Sequence, residues 1–223
     1  MTDLAAIRLS LELAAISTLI LLALGIPLAW GLSQWRWRGR FLVDAVIALP
    51  LVLPPTVLGF YLLLTLGPNG PVGRLTEALG GTTLAFSFTG LVIGSVIYSL
   101  PFVVQPLQNA FSAIGRGPME TAATLGASPL DRFFTVALPM AKPGLLSAAA
   151  LGFAHTLGEF GVVLMIGGNI PGETRVASIA VYDHVESLDW GAAHTLSLTL
   201  LLLSFVLLAV IYAVNRRARW FGP

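Results

Sequence analysis

The sequence predicts an all-α integral membrane protein with about five transmembrane helices, its N-terminus outside and its C-terminus in the cytoplasm. Three observations lead there. Of the 223 residues, 56% are hydrophobic and only 10% charged, against about 25% charged in an ordinary soluble domain. The apolar residues gather into five stretches, each long enough to cross a hydrocarbon core of ~30 Å as a helix. The basic residues fall unevenly between those stretches. Near-continuous apolar character excludes the alternating pattern of a membrane β-barrel, and backbone groups in lipid must be satisfied within each segment, so the spans are helices.

The first span covers residues 9–30. Its apolar run exceeds the ~7–15 residues of a cleavable leader, and Asp3 with a lone Arg8 precedes it, so a retained helix is expected. The second covers 42–66 and contains Pro50, Pro54 and Pro55, which remove backbone donors, kink the helix and free carbonyls. The third, 84–107, carries Gly90 and Gly94, a small-residue pair suited to helix packing. The fourth and fifth cover 143–166 and 192–214. Between spans two and three, residues 67–83 are rich in Gly and Pro and read as turns. Residues 167–191 include 176–182, a mostly apolar piece too short to cross, which dips into the membrane or lies on it.

Charge sets the orientation. One alternating set of segments holds nine basic residues: Arg36, Arg38, Arg40, Arg116, Arg132, Lys142, Arg216, Arg217 and Arg219. The other holds Arg8, Arg74 and Arg175. The positive-inside rule places the nine in the cytoplasm, and with them the long segment 108–142. Trp30, Trp35, Trp37, Trp190 and Trp220 lie near span ends, as an aromatic belt would have them. A net charge of +1 gives no basic face for nucleic acid, and cysteine is absent.

Within 108–142 the chain reads as two short helices with punctuation. Pro118 suits a first turn, Glu120 complements the helix N-terminus, and Gly126 suits a C-terminal cap. Ser128, Pro129 and Asp131 form a second start, and Leu138-Pro139 is expected to end that helix. An exposed helix pair of this kind suits docking on a partner; a solvated loop is the plainer reading. The motif decides the choice. Glu120-Thr121-Ala122, then Ala123-Thr124-Leu125, then Gly126, then Val136, Leu138 and Pro139 follow the pattern E-A-A-x3-G-x9-I-x-L-P without a gap. This resembles the cytoplasmic motif of importer permeases of the ATP-binding-cassette (ABC) superfamily; Thr121 and Val136 depart from it within size class.

The resemblance implies a single permease domain over residues 1–223, with the helix pair as a coupling loop. Glu120, Ala122, Ala123, Gly126, Leu138 and Pro139 would serve docking on a separate ATPase subunit. It further implies a second copy of the chain, two ATPase subunits and an external oxyanion-binding protein, in a bacterial or archaeal cell membrane (the inner membrane of a Gram-negative cell). ATP and magnesium would sit on the partner, with no cofactor in this chain. The sequence agrees: the only lysine, Lys142, is followed by Pro143, and no phosphate loop of the form G-x-x-x-x-G-K-[ST] occurs. The chain is therefore not expected to be an enzyme.

Residues 49–59, LPLVLPPTVLG, resemble the second span of molybdate permeases. Gly158-Glu159-Phe160-Gly161 with Gly168-Asn169-Ile170-Pro171-Gly172 is similar to molybdate and sulfate permeases alike. The substrate implied is molybdate, with tungstate; sulfate or thiosulfate is the alternative. Candidate pathway or gate residues are Pro54, Pro55, Thr56, Ser95, Ser99 and Glu159. The hydroxyls are neutral donors for an oxyanion, although Ser95 and Ser99, four apart on one helix face, equally suit interhelical bonding. Glu159 is an ionisable group inside a span and so a functional candidate; a carboxylate repels an oxyanion, which favours a structural or gating role. His155, four residues earlier, reads as a packing residue. His155, His184 and His194 lack metal-ligand spacing, so no metal is expected. No Arg or Lys lies inside a span. A secondary transporter would show paired broken repeats, and an intramembrane protease a Ser–His pair, for which only Ser95 and His155 are available; neither explains the motif.

Overall fold

The structure, a computed structural model, describes residues 2–35 and 38–220, and only the backbone of residues 2 and 214–220. Arg36 and Trp37 lie outside the described residues, as do the side chains of Arg216, Arg217, Arg219 and Trp220. Among the described residues there are helices and no strand. In chain order they are α1 (Thr2–Gln34), α2 (Arg40–Val52), α3 (Pro55–Leu66), α4 (Pro71–Ala78), α5 (Phe88–Ala113), α6 (Gly117–Thr124) and α7 (Pro129–Arg132). A π-helical turn (Phe133–Ala137) follows, then α8 (Leu138–Met140), α9 (Lys142–Leu157), α10 (Gly161–Gly167), α11 (Ala177–Glu186) and α12 (Trp190–Trp220).

Three helices, α1, α5 and α12, are long and apolar enough to cross a membrane alone. The number reaches five when each of two bent pairs counts as one span. One pair is α2 with α3–α4, bent by 109°; the other joins the 129–140 helix to α9 at 71°. The expected second span, 42–66, is thus two helices. Pro54 and Pro55 have no N–H to offer the carbonyls one turn back, and Leu53 leaves the helix with ψ 131°. The expected fourth span, 143–166, is also two helices, α9 and α10, parted at Gly158–Phe160, where Phe160 takes φ −129°, ψ −63°. The prolines signalled the first break as a kink; the apolar run hid the second.

Two loops hold more structure than expected. Residues 67–83, read as turns, contain α4, started by Pro71 after Gly70. The short apolar piece near 176–182 is the buried half of α11, with Ala177, Ile179 and Ala180 inside. Trp30, one of the five tryptophans near span ends, is half-buried. It packs inward on Phe111 and Phe133, with ring centroids 5.3 and 5.4 Å away. Trp35 and Trp190 are exposed.

The centre is the seam of α1, α5 and α9, where Leu21, Ala29, Val103, Val104, Leu107 and Ala148 are buried together. Water supplies no hydrophobic drive between helices in lipid, so close packing of small residues holds them. Gly144 of α9 meets α5 so closely that a Cβ there would stand 2.2 Å from the Ala110 methyl. Gly94 of α5 likewise faces Ile166 and Val162 of α10. By contrast α12 leans on α11 and α9 and leaves almost all of its apolar window uncovered.

Gly144→Ala is expected to force α5 and α9 apart, since Ala110 cannot rotate away, costing about 1–3 kcal/mol. Gly31→Ala in α1, with nothing within 4 Å, should be neutral. Thermal unfolding of the two purified variants in detergent checks this; equal melting temperatures would refute the seam.

Candidate functional site

The two helix breaks face each other. Gly161, the first residue of α10, lies against Pro55, the first of α3: a Cβ on Gly161 would stand 2.8 Å from Pro55 Cβ. Gly59 of α3 approaches Met165 and Val162 of α10 just as closely. Beside this contact is a cavity of ≈ 580 Å³, lined by Thr56, Tyr98, His155 and Glu159 among others. Glu159 occupies the break itself. Its side chain is 4% exposed, and neither carboxylate oxygen has a hydrogen-bond partner. Ser95 neighbours the carboxyl without closing a hydrogen bond.

The break's backbone is held from outside the bundle seam. The Ser178 hydroxyl of α11 donates to the Glu159 carbonyl at 2.6 Å, replacing a bond that the interrupted helix cannot make. Four further contacts fix α11. Ser10 of α1 accepts the Ala177 N–H at 2.8 Å. Arg175 pairs with Asp183 at 2.8 Å, and Asn169 donates to the same carboxylate at 2.8 Å. His184 meets Asp3 at 3.1 Å. The loop before α11 is closed by the Thr174 hydroxyl, which donates to the Gly167 carbonyl at 2.6 Å.

Of the residues named from sequence, Pro55, Thr56 and Glu159 line the cavity. Pro54 is exposed at the start of α3 and is not among the lining residues. Ser95 and Ser99 are fully buried and also off the lining. The Ser99 Oγ sits 2.8 Å from His155 Nδ1 and 3.0 Å from Thr156 Oγ1, joining α5 to α9. Sequence reasoning missed Tyr98 and His155 as cavity residues. His155 stacks on Phe102 with centroids 3.8 Å apart and lies 4.8 Å from the Tyr98 ring. A polar residue on each of two facing helices was the available signal, but their facing could not be read from one chain's periodicity.

At 108–142 the capping scheme forms. Pro118 sits in the first turn of α6, and Gly126 takes φ +87°, a left-handed value that glycine adopts freely. The Ala127 N–H then returns to the Ala122 carbonyl at 3.0 Å. Ser128 accepts the Asp131 N–H at 3.2 Å. The helix does not end at Leu138-Pro139, however. It runs to Met140 through the π-helical turn, in which the Leu138 N–H reaches back five residues to Phe133. Widening the turn lets a proline without an N–H remain in the helix. Glu120, Ala123, Gly126 and Pro139 are exposed, and Ala122 and Leu138 are half-buried. Leu125, Leu130 and Phe134 are 84%, 72% and 60% exposed, an apolar set that marks a contact surface.

Residues 22–220 match the family described as the binding-protein-dependent transport system inner membrane component. The chain belongs to this family. It is 60% identical over 214 residues to the molybdenum transport system permease protein ModB of Azotobacter vinelandii, covering 96% of this chain and 95% of that one. It is 33% identical over 218 residues to the sulfate transport system permease protein CysT of Salmonella typhimurium, covering 98% and 77%. Its fold is similar to a chain of a crystal structure of a bacterial ABC transporter that imports the acidic polysaccharide alginate, with TM-score 0.79, 18% identity, and coverage of 100% and 81%. As a member of this family it is a multi-pass membrane protein and a transport-system permease.

Within this permease, Glu159→Gln is expected to raise the melting temperature in detergent, because an uncharged amide costs less to bury unpartnered than a carboxylate. Ser178→Ala should instead speed amide hydrogen exchange around residues 158–161 by about tenfold, the loss of one buried bond. A lowered melting point in the first variant, or unchanged exchange in the second, would contradict the geometry.

Proposed function

We propose that this chain is the membrane-spanning subunit of an ATP-driven importer that carries molybdate, and tungstate with it, by alternating access. The observation that carries the substrate is the 60% identity, end to end, to a molybdenum transport permease. The more distant likeness to a sulfate permease makes sulfate or thiosulfate the second reading. Both are tetrahedral oxyanions, and the cavity between the breaks offers hydroxyls rather than cations, suited to passing an anion on rather than retaining it.

In this reading two copies of the chain form one pathway, with the nine basic residues and the C-terminus facing the cytoplasm of a bacterial or archaeal cell. The family's description, binding-protein-dependent, supports an external protein that supplies the anion. High affinity belongs there, since no Arg or Lys lies inside a span to make a deep well. ATP and magnesium are held by two separate ATPase subunits, and this chain contributes no catalytic group or cofactor.

The coupling runs through 108–142. Glu120 faces a basic group on the ATPase, and the exposed Leu125, Leu130 and Phe134 enter its apolar cleft. Beneath them Phe133 stacks with Trp30 and Phe111, so movement of the loop reaches α1 and α5. Pro55, Thr56 and Glu159, at the facing breaks, form the gate region.

Uptake of labelled molybdate is expected in vesicles that hold this chain with its ATPase and binding protein, dependent on ATP and not suppressed by excess sulfate. Preferential sulfate uptake would replace the substrate and keep the transporter. Leu130→Asp and Glu120→Lys should leave membrane insertion intact and reduce substrate-stimulated ATP hydrolysis at least about tenfold, by burying an unpaired charge or reversing one. Normal coupling in both would remove the docking role.

A further inference from the structure

We infer that His155 is an anion-contacting residue of the pathway, and that Ser99 and Thr156 are positioning residues that fix which of its nitrogens carries the proton. The inference rests on the reading of the chain as an oxyanion permease and names a contact within the cavity at the breaks.

Threonines elsewhere in these helices donate to the carbonyl four residues back, as Thr18, Thr121 and Thr135 do. Thr156 is 3% exposed, and among the described residues the hydrogen-bond contact of its hydroxyl is the Ser99 Oγ, 3.0 Å away. A buried hydroxyl proton needs an acceptor, and Ser99 is the acceptor in reach. Thr156 therefore donates to Ser99. The Ser99 hydroxyl, fully buried, then spends its own proton on the remaining neighbour, His155 Nδ1, at 2.8 Å. A neutral imidazole that accepts at Nδ1 carries its hydrogen on Nε2.

The ring is held as well as polarised. It lies flat on Phe102, with 25° between planes, and Tyr98 leans on it from the side. Among the described residues Nε2 has no hydrogen-bond partner, and the ring lines the cavity. The result is one oriented N–H donor on a ring that lines the cavity together with Thr56 and Tyr98. An N–H aimed at a dianion makes a charge-assisted bond. Ser99, which the spacing on α5 suggested as a direct path residue, acts from behind the ring.

The opposite arrangement, with Nδ1–H donating to Ser99 and Ser99 to Thr156, would leave the Thr156 proton without an acceptor and turn a bare lone pair toward the anion. The two hydroxyls are thus expected to matter for their protons rather than their volume. This separates the inference from plain packing, because Thr156→Val keeps shape without the proton and Thr156→Ser keeps the proton without the methyl.

The test uses the whole complex in proteoliposomes, with labelled molybdate uptake and ATP hydrolysis stimulated by loaded binding protein read in parallel. Thr156→Val and His155→Phe are expected to lower uptake about tenfold, the loss of a hydrogen bond to a charged group, while stimulated hydrolysis persists. Thr156→Ser should stay within about twofold of wild type. Normal uptake with Thr156→Val alongside impaired uptake with Thr156→Ser would assign Thr156 to packing and overturn the inference, as would normal uptake with His155→Phe. Wild-type vesicles that take up neither molybdate nor sulfate would overturn the importer reading itself, a failure visible before any variant is compared.

Discussion

Everything near the site depends on one constraint: a peptide group in hydrocarbon must find its hydrogen bond inside the protein. Two apolar runs of this chain are each broken into two helices, at Leu53–Pro54 and at Gly158–Phe160. The chain sets the interruptions against each other, with Gly161 on Pro55, so that neither meets lipid alone. It then brings a hydroxyl from a third element, Ser178, to the carbonyl at the second break. That requirement explains why the first half of α11 is buried, why Ser10 caps it from the far end of the sequence, and why a salt bridge closes the loop before it. Open backbone and a buried carboxyl are then available at one place, which is what a pathway for a hydrophilic solute needs.

From this place to the opposite end of the bundle the connection is short and stiff. α9 runs unbroken from Lys142 to Leu157, and its first turn joins the helix of residues 129–140 at a 71° bend. The aromatic set of Trp30, Phe111 and Phe133 locks that helix to α1 and α5. A displacement of the exposed Leu125–Phe134 surface therefore reaches the break along α9 as a rigid element rather than through a loop.

Much of this was legible in the sequence. The apolar runs located α1, α5 and α12, because long helices in lipid announce themselves by composition. Pro118, Gly126, Ser128 and Pro129 announced the helix pair of 108–142, because caps are local chemistry. The breaks were less legible. Pro54-Pro55 signalled a kink, but the 109° reversal depends on packing against α10. Gly158–Phe160 carries no proline and lies within an apolar run, so its departure from the helix is a tertiary effect. The same holds for the site. Thr56 and Glu159 stood out as polar residues in apolar company. The role of His155 follows from Ser99 and Thr156, one of them on a different helix, and no spacing rule joins residues 56 positions apart.

The bare flank of α12 has a mechanical consequence. This helix of 31 residues is longer than a hydrocarbon core of ~30 Å requires at ~1.5 Å per residue, and the rest of the chain covers little of its apolar window. A membrane of different thickness would be met by tilting it. Since α12 rests on α11, and α11 holds the carbonyl of Glu159, bilayer thickness becomes a load on the break, and lipid chain length a control variable for this permease.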